Sequence, residues 1–308
     1  MDKLPDTPLL ISGCLGGPSV IFINTPMRNA LTLGSQDARS GFRALYTKVF
    51  RGGALAGWTG GVAPAVVACP QFLALSPVYH FLNNNAREGF GVASDAKHAL
   101  APSLVASVGA GLVETWLTFG SQSRNAQMAY NKSFVQFSSV VDGSRRSLRV
   151  NPVYCIWGPG AGAMAVRNVL SIAGMRVLSP WLKDNVPAGH LGANTRATLC
   201  DIFSSLVVCP ISAPIHQLFN FLCTTPEAVH MSRSDRWGLA QKFLTKQYFV
   251  PLPRDVVLTT EQDIPRQEYS WRISKVALRD LGMRGLYISS VFTLFMSIER
   301  FLCTTMRS

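Results

Sequence analysis

The feature that most constrains this chain is a succession of long stretches nearly empty of charge. Residues 7–27, 52–86 and 202–226 hold no Asp, Glu, Lys or Arg. Residues 98–123 hold only Glu114, and 150–182 only Arg167 and Arg176. A sixth stretch, 285–298, is shorter, and Glu299 and Arg300 interrupt it before residues 301–306. A helix crossing the hydrocarbon core of a bilayer needs roughly 20 apolar residues. One such run would equally fit a buried helix of a soluble protein. Five or six in one chain do not, the more so as charged residues make up only 15% of the chain, against roughly 25% in ordinary soluble domains. The expected fold is an all-α membrane protein with six transmembrane helices. Glycines and prolines break the start of the second run and confine its helix to about 63–82.

The connections supply an independent test. Residues 28–51 carry five Lys/Arg and one acid, and residues 124–149 again five and one. The long connection 227–284 carries ten bases and seven acids. The alternate connections are nearly neutral: 83–97 has two charges of each sign, and 183–196 has two bases and one acid. Bases gathered in every second loop are the signature of a multi-pass protein with its basic loops on one side. Both termini then lie on the opposite side. The net charge of +12 is explained by these loops. It forms no single patch interleaved with aromatics, so a nucleic-acid partner is not expected.

The chain also repeats. NTPMRNAL places Pro26 near the end of the first run, SAPIHQLF places Pro214 near the end of the fifth, and FGSQSRNA holds Ser121 in the matching slot of the third. The spacings are 95 and 93 residues. Ten residues before each slot stands a small residue, Gly16, Gly111 or Ser204, which allows helices to approach closely in a bilayer. A proline late in a helix removes a backbone hydrogen bond and kinks it, so three kinked helices converging as a funnel are expected. After the first basic loop, Gly53, Trp58 and Gly60 form G-x4-aromatic-x-G, and Gly282, Tyr287 and Ser289 fill the same slots late in the chain. The middle copy, VYCIWGPGAG, keeps Trp157 and its glycines.

Three repeats of about 100 residues, two helices each, with a proline slot and a later glycine–aromatic motif, resemble the mitochondrial carrier family over nearly the whole chain. The stretch GAGLVETWLTFGSQSRNAQ is similar to the third helix of tricarboxylate carriers. The resemblance implies three carrier repeats at 1–97, 98–195 and 196–308, the last with a long insertion at about 227–275. It implies a multi-pass protein of the mitochondrial inner membrane with both termini toward the intermembrane space. The N-terminus MDKLPDTPLL is acidic and lacks arginine, so no cleavable presequence is expected.

The family's odd helices carry P-x-[DE]-x-x-[KR], whose acids and bases pair between repeats as a reversible gate. Here Arg28, Ser123 and His216 stand at the acid positions, and Leu31, Ala126 and Phe219 at the base positions. No acid–base ring forms from these residues; Pro26, Ser121 and Pro214 mark a motif with geometry and no switch. The outer gate motif [FY]-[DE]-x-x-[KR] falls on Tyr79 to Asn83, Met175 to Ser179 and Ile298 to Leu302, where only Glu299 survives in type. By position the family's substrate contacts map near Gln71, Leu75, Arg167, Asn168 and Ser171. Arg167 is the candidate anion ligand or, equally, a base reaching for the interface or a neighbouring helix. Glu114 is a cavity acid or a partner for Arg167 or Arg124. The glycine-rich starts of even helices, with Trp58, Gly60, Gly61, Gly158 and Gly160, offer backbone amides that favour phosphate; in the family they hold cardiolipin, and a tight turn without ligand is the other reading.

Seven cysteines include no CxxC pair, the five histidines show no metal spacing, and no nucleophile motif appears, so neither enzyme nor metal site is expected. No cofactor is expected beyond bound phospholipid. Two functions remain. One is a structural or accessory subunit of a large inner-membrane assembly, such as the respiratory chain or the ATP synthase, with protein subunits and membrane lipids as partners. The alternative is an active, divergent carrier of a small, possibly anionic, metabolite. The polar, proline-containing segment 250–272 fits a partner-binding loop or a disordered one.

Overall fold

A computed structural model describes residues 11–92, 99–132, 157–187, 192–253 and 269–307. The chain enters through a π-helical turn, Ser12–Gly16, that runs into α1 (Gly17–Ile23). Asn24 separates α1 from α2 (Thr25–Gln36). The break has a local cause. Pro26 has no N–H and sits in the first turn of α2, the one place in a helix where that donor is not missed. Then come α3 (Phe42–Val49), a 3₁₀ turn Ala54–Trp58, α4 (Val62–Gly89) and α5 (Leu100–Tyr130). α6 (Ala161–Ala173) passes through a π-helical turn, Gly174–Leu178, into α7 (Ser179–Asn185). α8 (Ala193–Thr224) and α9 (Arg233–Tyr248) follow. Two short antiparallel strands, β1 (Phe249–Pro253) and β2 (Tyr269–Ile273), lead to α10 (Lys275–Arg307).

Five of the described helices are long and apolar enough to cross a membrane: α4 with its preceding turn, α5, α6 with α7, α8 and α10. The apolar helix at Gly13–Ile23 is shorter. The helical segments pack as a closed ring in chain order: α1 against α4, α4 against α5, α5 against α6, α6 against α8, α8 against α10, and α10 back against the first turn and α1. α2, α5 and α8 also touch one another. They meet on the ring axis, where Arg28 reaches Asn125 and Gln36 reaches Thr224.

The burial pattern is inverted relative to a soluble domain. Large apolar side chains face outward, among them Val66, Trp116, Phe203, Leu286 and Phe301. Polar ones are buried, among them Asn29, Thr115, Asn125, Asn168, Gln217 and Asn220. In water this arrangement would be costly on both counts. In a bilayer the lipid covers the apolar exterior, and polar groups turn inward to find partners. The fold is that of a helical multi-pass membrane protein.

Of the three proline slots, Pro26 stands at a break between helices, while Ser121 and Pro214 lie inside the continuous helices α5 and α8. The structure corrects two sequence expectations. The last helix is not short: α10 spans 33 residues. It starts early because the Ser274 hydroxyl caps it, accepting from the Ala277 N–H at 3.0 Å, and because Arg279 and Asp280 neutralise each other inside the protein at 2.7 Å. As a consequence Gly282, Tyr287 and Ser289 lie in uninterrupted helix, whereas Gly53 and Gly60 take left-handed conformations with φ of 106° and 72°. The equivalence of the two motifs stops at sequence. The bundle is all-α, and the short antiparallel pair β1–β2 brackets residues 254–268, which lie outside the described residues.

Glycine matters most at Gly160. Its φ is +90°, and an added Cβ would stand 3.0 Å from the Phe219 carbonyl oxygen of α8. The start of α6 is thereby held against α8. Gly162, two residues on, has nothing within 4 Å of an added Cβ. Gly160→Ala should lower the thermal midpoint of the detergent-solubilised protein, costing about 2 kcal/mol. Gly162→Ala should leave it unchanged or raise it by up to about 1 kcal/mol through helix propensity. Equal behaviour of the two would refute the tight contact.

Candidate functional site

The buried polar groups gather on the axis between α2, α5, α6, α8 and α10. Arg28 in α2 donates from Nη2 to Asn125 Oδ1 of α5 at 3.1 Å. Asn125 in turn donates to Asn29 Oδ1 at 3.0 Å. Asn29 closes the chain by donating to the carbonyls of Gly57 and Thr59 at 2.9 and 3.1 Å, which pins the turn before α4. Arg167 in α6 is the second hub. Its Nε and Nη2 donate to Asn168 Oδ1 at 3.0 and 2.6 Å, and its Nη1 donates to Gln122 Oε1 at 3.1 Å. Nη1 also lies 3.2 Å from Nδ1 of His216 in α8. A guanidinium only donates, so Nδ1 accepts and the imidazole proton sits on Nε2. Asn168 donates onward to Thr115 of α5 at 3.0 Å. The ring of Phe219 lies 5.5 Å from the Arg167 guanidinium carbon.

The candidate cavity residues Gln71, Glu114, Arg167, Asn168 and Ser171 all line one central cavity. Gln71 donates to Glu114 Oε1 at 2.7 Å, linking α4 to α5. Leu75 lies in α4, but its side chain is outside the described residues. The cavity holds about 80 Å³, room for a few waters and far below the roughly 300–1,000 Å³ of ligand pockets. Sequence reasoning missed Arg284, which lines it from α10 together with Tyr287. Arg284 is buried, its guanidinium carbon is 5.2 Å from the Tyr287 ring centre, and its Nε and Nη1 have no partner among the described residues. The signal was present: Arg284 stood at the edge of an apolar run and was assigned to the loop. Of the degenerate motif residues, Arg28, Ser123 and His216 are all buried on the axis. Among the described residues the Ser121 and Ser123 hydroxyls bond back to carbonyls of their own helix, at 2.9 and 3.1 Å.

Below the axis, on the side of the basic loops, a second set of bonds ties the chain ends together. Arg279 of α10 donates to the carbonyls of Gly34, Asp37 and Ser40 at 2.9, 2.7 and 2.6 Å, satisfying the open C-terminus of α2. Tyr248 of α9 donates to Asp280 Oδ2 at 3.0 Å; burial, then the Asp280 carboxylate, push its phenol pKa up. Asp37 accepts from the Arg39 and Ser40 amides at 3.1 and 3.0 Å, from the Ser40 hydroxyl at 2.7 Å, and from Lys48. Partial burial works to raise its pKa, but the bonds from Lys48 and Ser40 outweigh it and hold the carboxyl at about 2.

At the opposite end Asp201 of α8 is buried and joins three helices. It accepts from Ser179 Oγ at 2.5 Å and pairs with Lys183 of α7 at 2.8 Å and Arg300 of α10 at 2.9 Å. Arg300 stands one place after the acid position of the outer gate motif and pairs with α8, not with a residue of that motif. Asp201 had been overlooked as the residue just outside an apolar run. The side chain of Glu299 lies outside the described residues.

The glycine-rich helix starts are less open to phosphate than their sequence suggests. The N–H of Gly61 donates to the Trp58 carbonyl at 3.0 Å, and that of Ala161 donates to the Gly158 carbonyl at 3.0 Å. Gly60 packs against Asn125, and Gly61 against Thr25. Trp58 lies between the rings of Phe22 and Phe50, at 6.4 and 6.0 Å. Among the described residues no cluster of His, Cys, Asp or Glu could hold a metal, and Cys14, Cys69, Cys200, Cys209 and Cys223 are free thiols. No protein-family model matches the chain, and no curated protein matches its sequence.

Two outcomes test these bonds. The pKa of Asp37 is lower folded than unfolded, so its stabilisation is complete above about pH 4 and disappears as the pH falls toward 2. Asp37→Asn should cost about 1 kcal/mol at pH 7, after allowance for solvent screening, and progressively less below pH 4 in detergent melts. Asp201→Asn leaves two bases facing no acid and should cost about 2 kcal/mol, less than for a fully buried pair because Lys183 and Arg300 partly reach solvent. A wild-type melting curve for Asp201→Asn would show that the three-helix junction carries no stability.

Proposed function

We propose that the chain is a carrier-like protein of the mitochondrial inner membrane, built of six membrane helices in three pseudo-repeats, that serves as a structural or accessory subunit of a large inner-membrane assembly. One observation carries this reading. Where the resemblance calls for acid–base pairs that break and re-form, the axis holds arginines bonded to amides, a hydroxyl-linked asparagine and an imidazole. These bonds join the odd helices without an opposing charge to exchange, and the cavity above them is too small for a metabolite. Such an axis is suited to holding one shape. Cardiolipin would bind at the helix starts around Gly60 and Gly160 only through the amides that their turns leave free, the termini would face the intermembrane space, and the basic loops with α9 would offer the surface for partner subunits.

A second reading rests on a specific feature. Arg167 and Arg284 line the cavity against one acid, Glu114, which leaves an excess of positive charge suited to a small anionic metabolite. A carrier of this kind would open by rearranging polar rather than ionic contacts.

Native gel electrophoresis of the endogenous protein after mild detergent extraction, read by mass spectrometry, separates the two. The structural reading predicts co-migration with a complex of respiratory-chain or ATP-synthase size. It also predicts no uptake of phosphate, dicarboxylates or tricarboxylates by reconstituted liposomes above protein-free controls. Migration as a lone chain, with uptake that Arg167→Gln abolishes, would replace it with the carrier reading.

A further inference from the structure

The described residues enclose a second space, on the outside of the bundle. A groove of about 660 Å³ runs between α5, the α6–α7 stretch and α8. Its floor is apolar, formed by Leu104, Leu170, Ala173, Val177 and Val208. Polar groups stand along it at Ser103, Arg176, Trp181 and Asn185. The π-helical turn Gly174–Leu178 forms part of the wall. Such turns insert a residue into a helix, re-aim its side chains and are frequent at functional sites. Here an added Cβ on Gly174 would stand 2.9 Å from Val208, so the turn is pressed onto α8 and the groove opens beside it.

Arg176 is the anomaly. It lies within the membrane span Ala161–Asn185 and is partly buried. Among the described residues no carboxylate forms an ion pair with it. The Tyr79 ring centre is 5.9 Å from its guanidinium carbon. A π-face lessens the cost of a buried cation but does not neutralise it. The polar positions lie toward the last turns of the span and the first turn of α5, at Asn185 and Leu100. This is the interface depth at which Trp and Arg are at home.

A trough of hydrocarbon character that ends in a guanidinium, an indole and an amide at the membrane surface matches one kind of molecule. A small water-soluble anion would leave the apolar floor uncovered. A zwitterionic lipid would cover the floor and leave the positive charge of Arg176 uncompensated. We propose that the groove binds one anionic phospholipid, with an acyl chain along Leu104, Leu170, Val177 and Val208 and its phosphate on Arg176, flanked by Asn185. This lipid belongs to the leaflet on the side of the termini. The glycine-rich helix starts at Gly60 and Gly160 lie at the other end of the bundle, so the groove is distinct from them. The site requires only that the chain sits in a bilayer; it stands whether the protein is a scaffold or a carrier.

The test uses the full chain in phosphatidylcholine nanodiscs doped with phosphatidylglycerol whose acyl chains carry bromine. Trp181 lines the groove, and its share of the fluorescence is isolated by subtracting the Trp181→Phe signal. Brominated phosphatidylglycerol should quench that share more strongly than brominated phosphatidylcholine. Arg176→Gln should weaken the preference about tenfold, the loss of one charge-assisted contact. Ala173→Phe fills the floor with Arg176 intact. It should remove the quenching by both lipids and, in native mass spectrometry, retain one phosphatidylglycerol fewer than the wild type. Equal quenching by the two lipids in the wild type would overturn the proposal, as would a preference that survives Arg176→Gln. Should Arg176→Gln fail to fold, unchanged lipid retention by Ala173→Phe overturns it instead.

Discussion

A guanidinium buried between helices in a bilayer has no water to fall back on, and the arrangement of this bundle follows from how each one is met. Arg28, Arg167 and Arg284 are all buried, and Arg279 nearly so. Leaving such a group unpaired costs several kcal/mol, so each arginine selects the helices that can come close to it. Arg28 brings α2 to α5 through Asn125. Arg167 brings α6 to α5 through Gln122 and to α8 through His216. Arg279 brings α10 to the end of α2. Apolar packing cannot supply this selectivity in a membrane, because lipid tails compete with leucine on equal terms.

The bonds divide into three levels along the ring axis. The basic-loop end is closed by Arg279, Asp280, Tyr248 and the Asp37–Lys48 pair. The centre is closed by the Arg28–Asn125–Asn29 and Arg167–Asn168–Thr115 chains. The opposite end is pinned at Asp201, though only between α7, α8 and α10. The first half of the ring has no such junction among the described residues at that end. The central level is the chemically unusual one. Its partners are amides, hydroxyls and an imidazole, so its strength does not depend on opposite charges that can separate and pair elsewhere. Arg284 is the exception, with a tyrosine face beside it and no partner for Nε or Nη1 among the described residues, and it is the residue most able to receive an anion from the cavity.

Much of this was legible before any coordinates. The apolar runs overlap all five spanning helices, with ends displaced by up to about three turns, because hydrocarbon thickness imposes a length and forbids charge. Gln71, Leu75, Arg167, Asn168 and Ser171 were named from what the family resemblance implies, and Glu114 as the lone charge of its apolar run; all but Leu75, whose side chain lies outside the described residues, line one cavity. What escaped notice were the charged residues at the margins of runs. Asp201 and Arg284 each sat next to an apolar stretch and were read as its end. Both are inside helices, since a partner on another helix neutralises the first and an aromatic face shelters the second. The length of α10 was misjudged for the same reason: Arg279 and Asp280 look like a loop in sequence and are a buried pair in space.

The sequence by itself determined that the chain crosses a membrane several times, that its bases lie in alternate loops, and where its helices run, because these depend on local transfer free energies summed along the chain. It also determined that no acid–base ring can close at the three proline slots, since the residue types are absent. Only the tertiary structure decided what replaces that ring. Whether Arg28 meets Asn125, or Asp201 meets both Lys183 and Arg300, depends on which helix faces turn toward each other, and partners 97, 18 and 99 residues apart leave no local pattern to read. The same holds for the groove beside Arg176: a π-helical turn and the small residue beneath it set its width, and neither announces itself until the helices are packed.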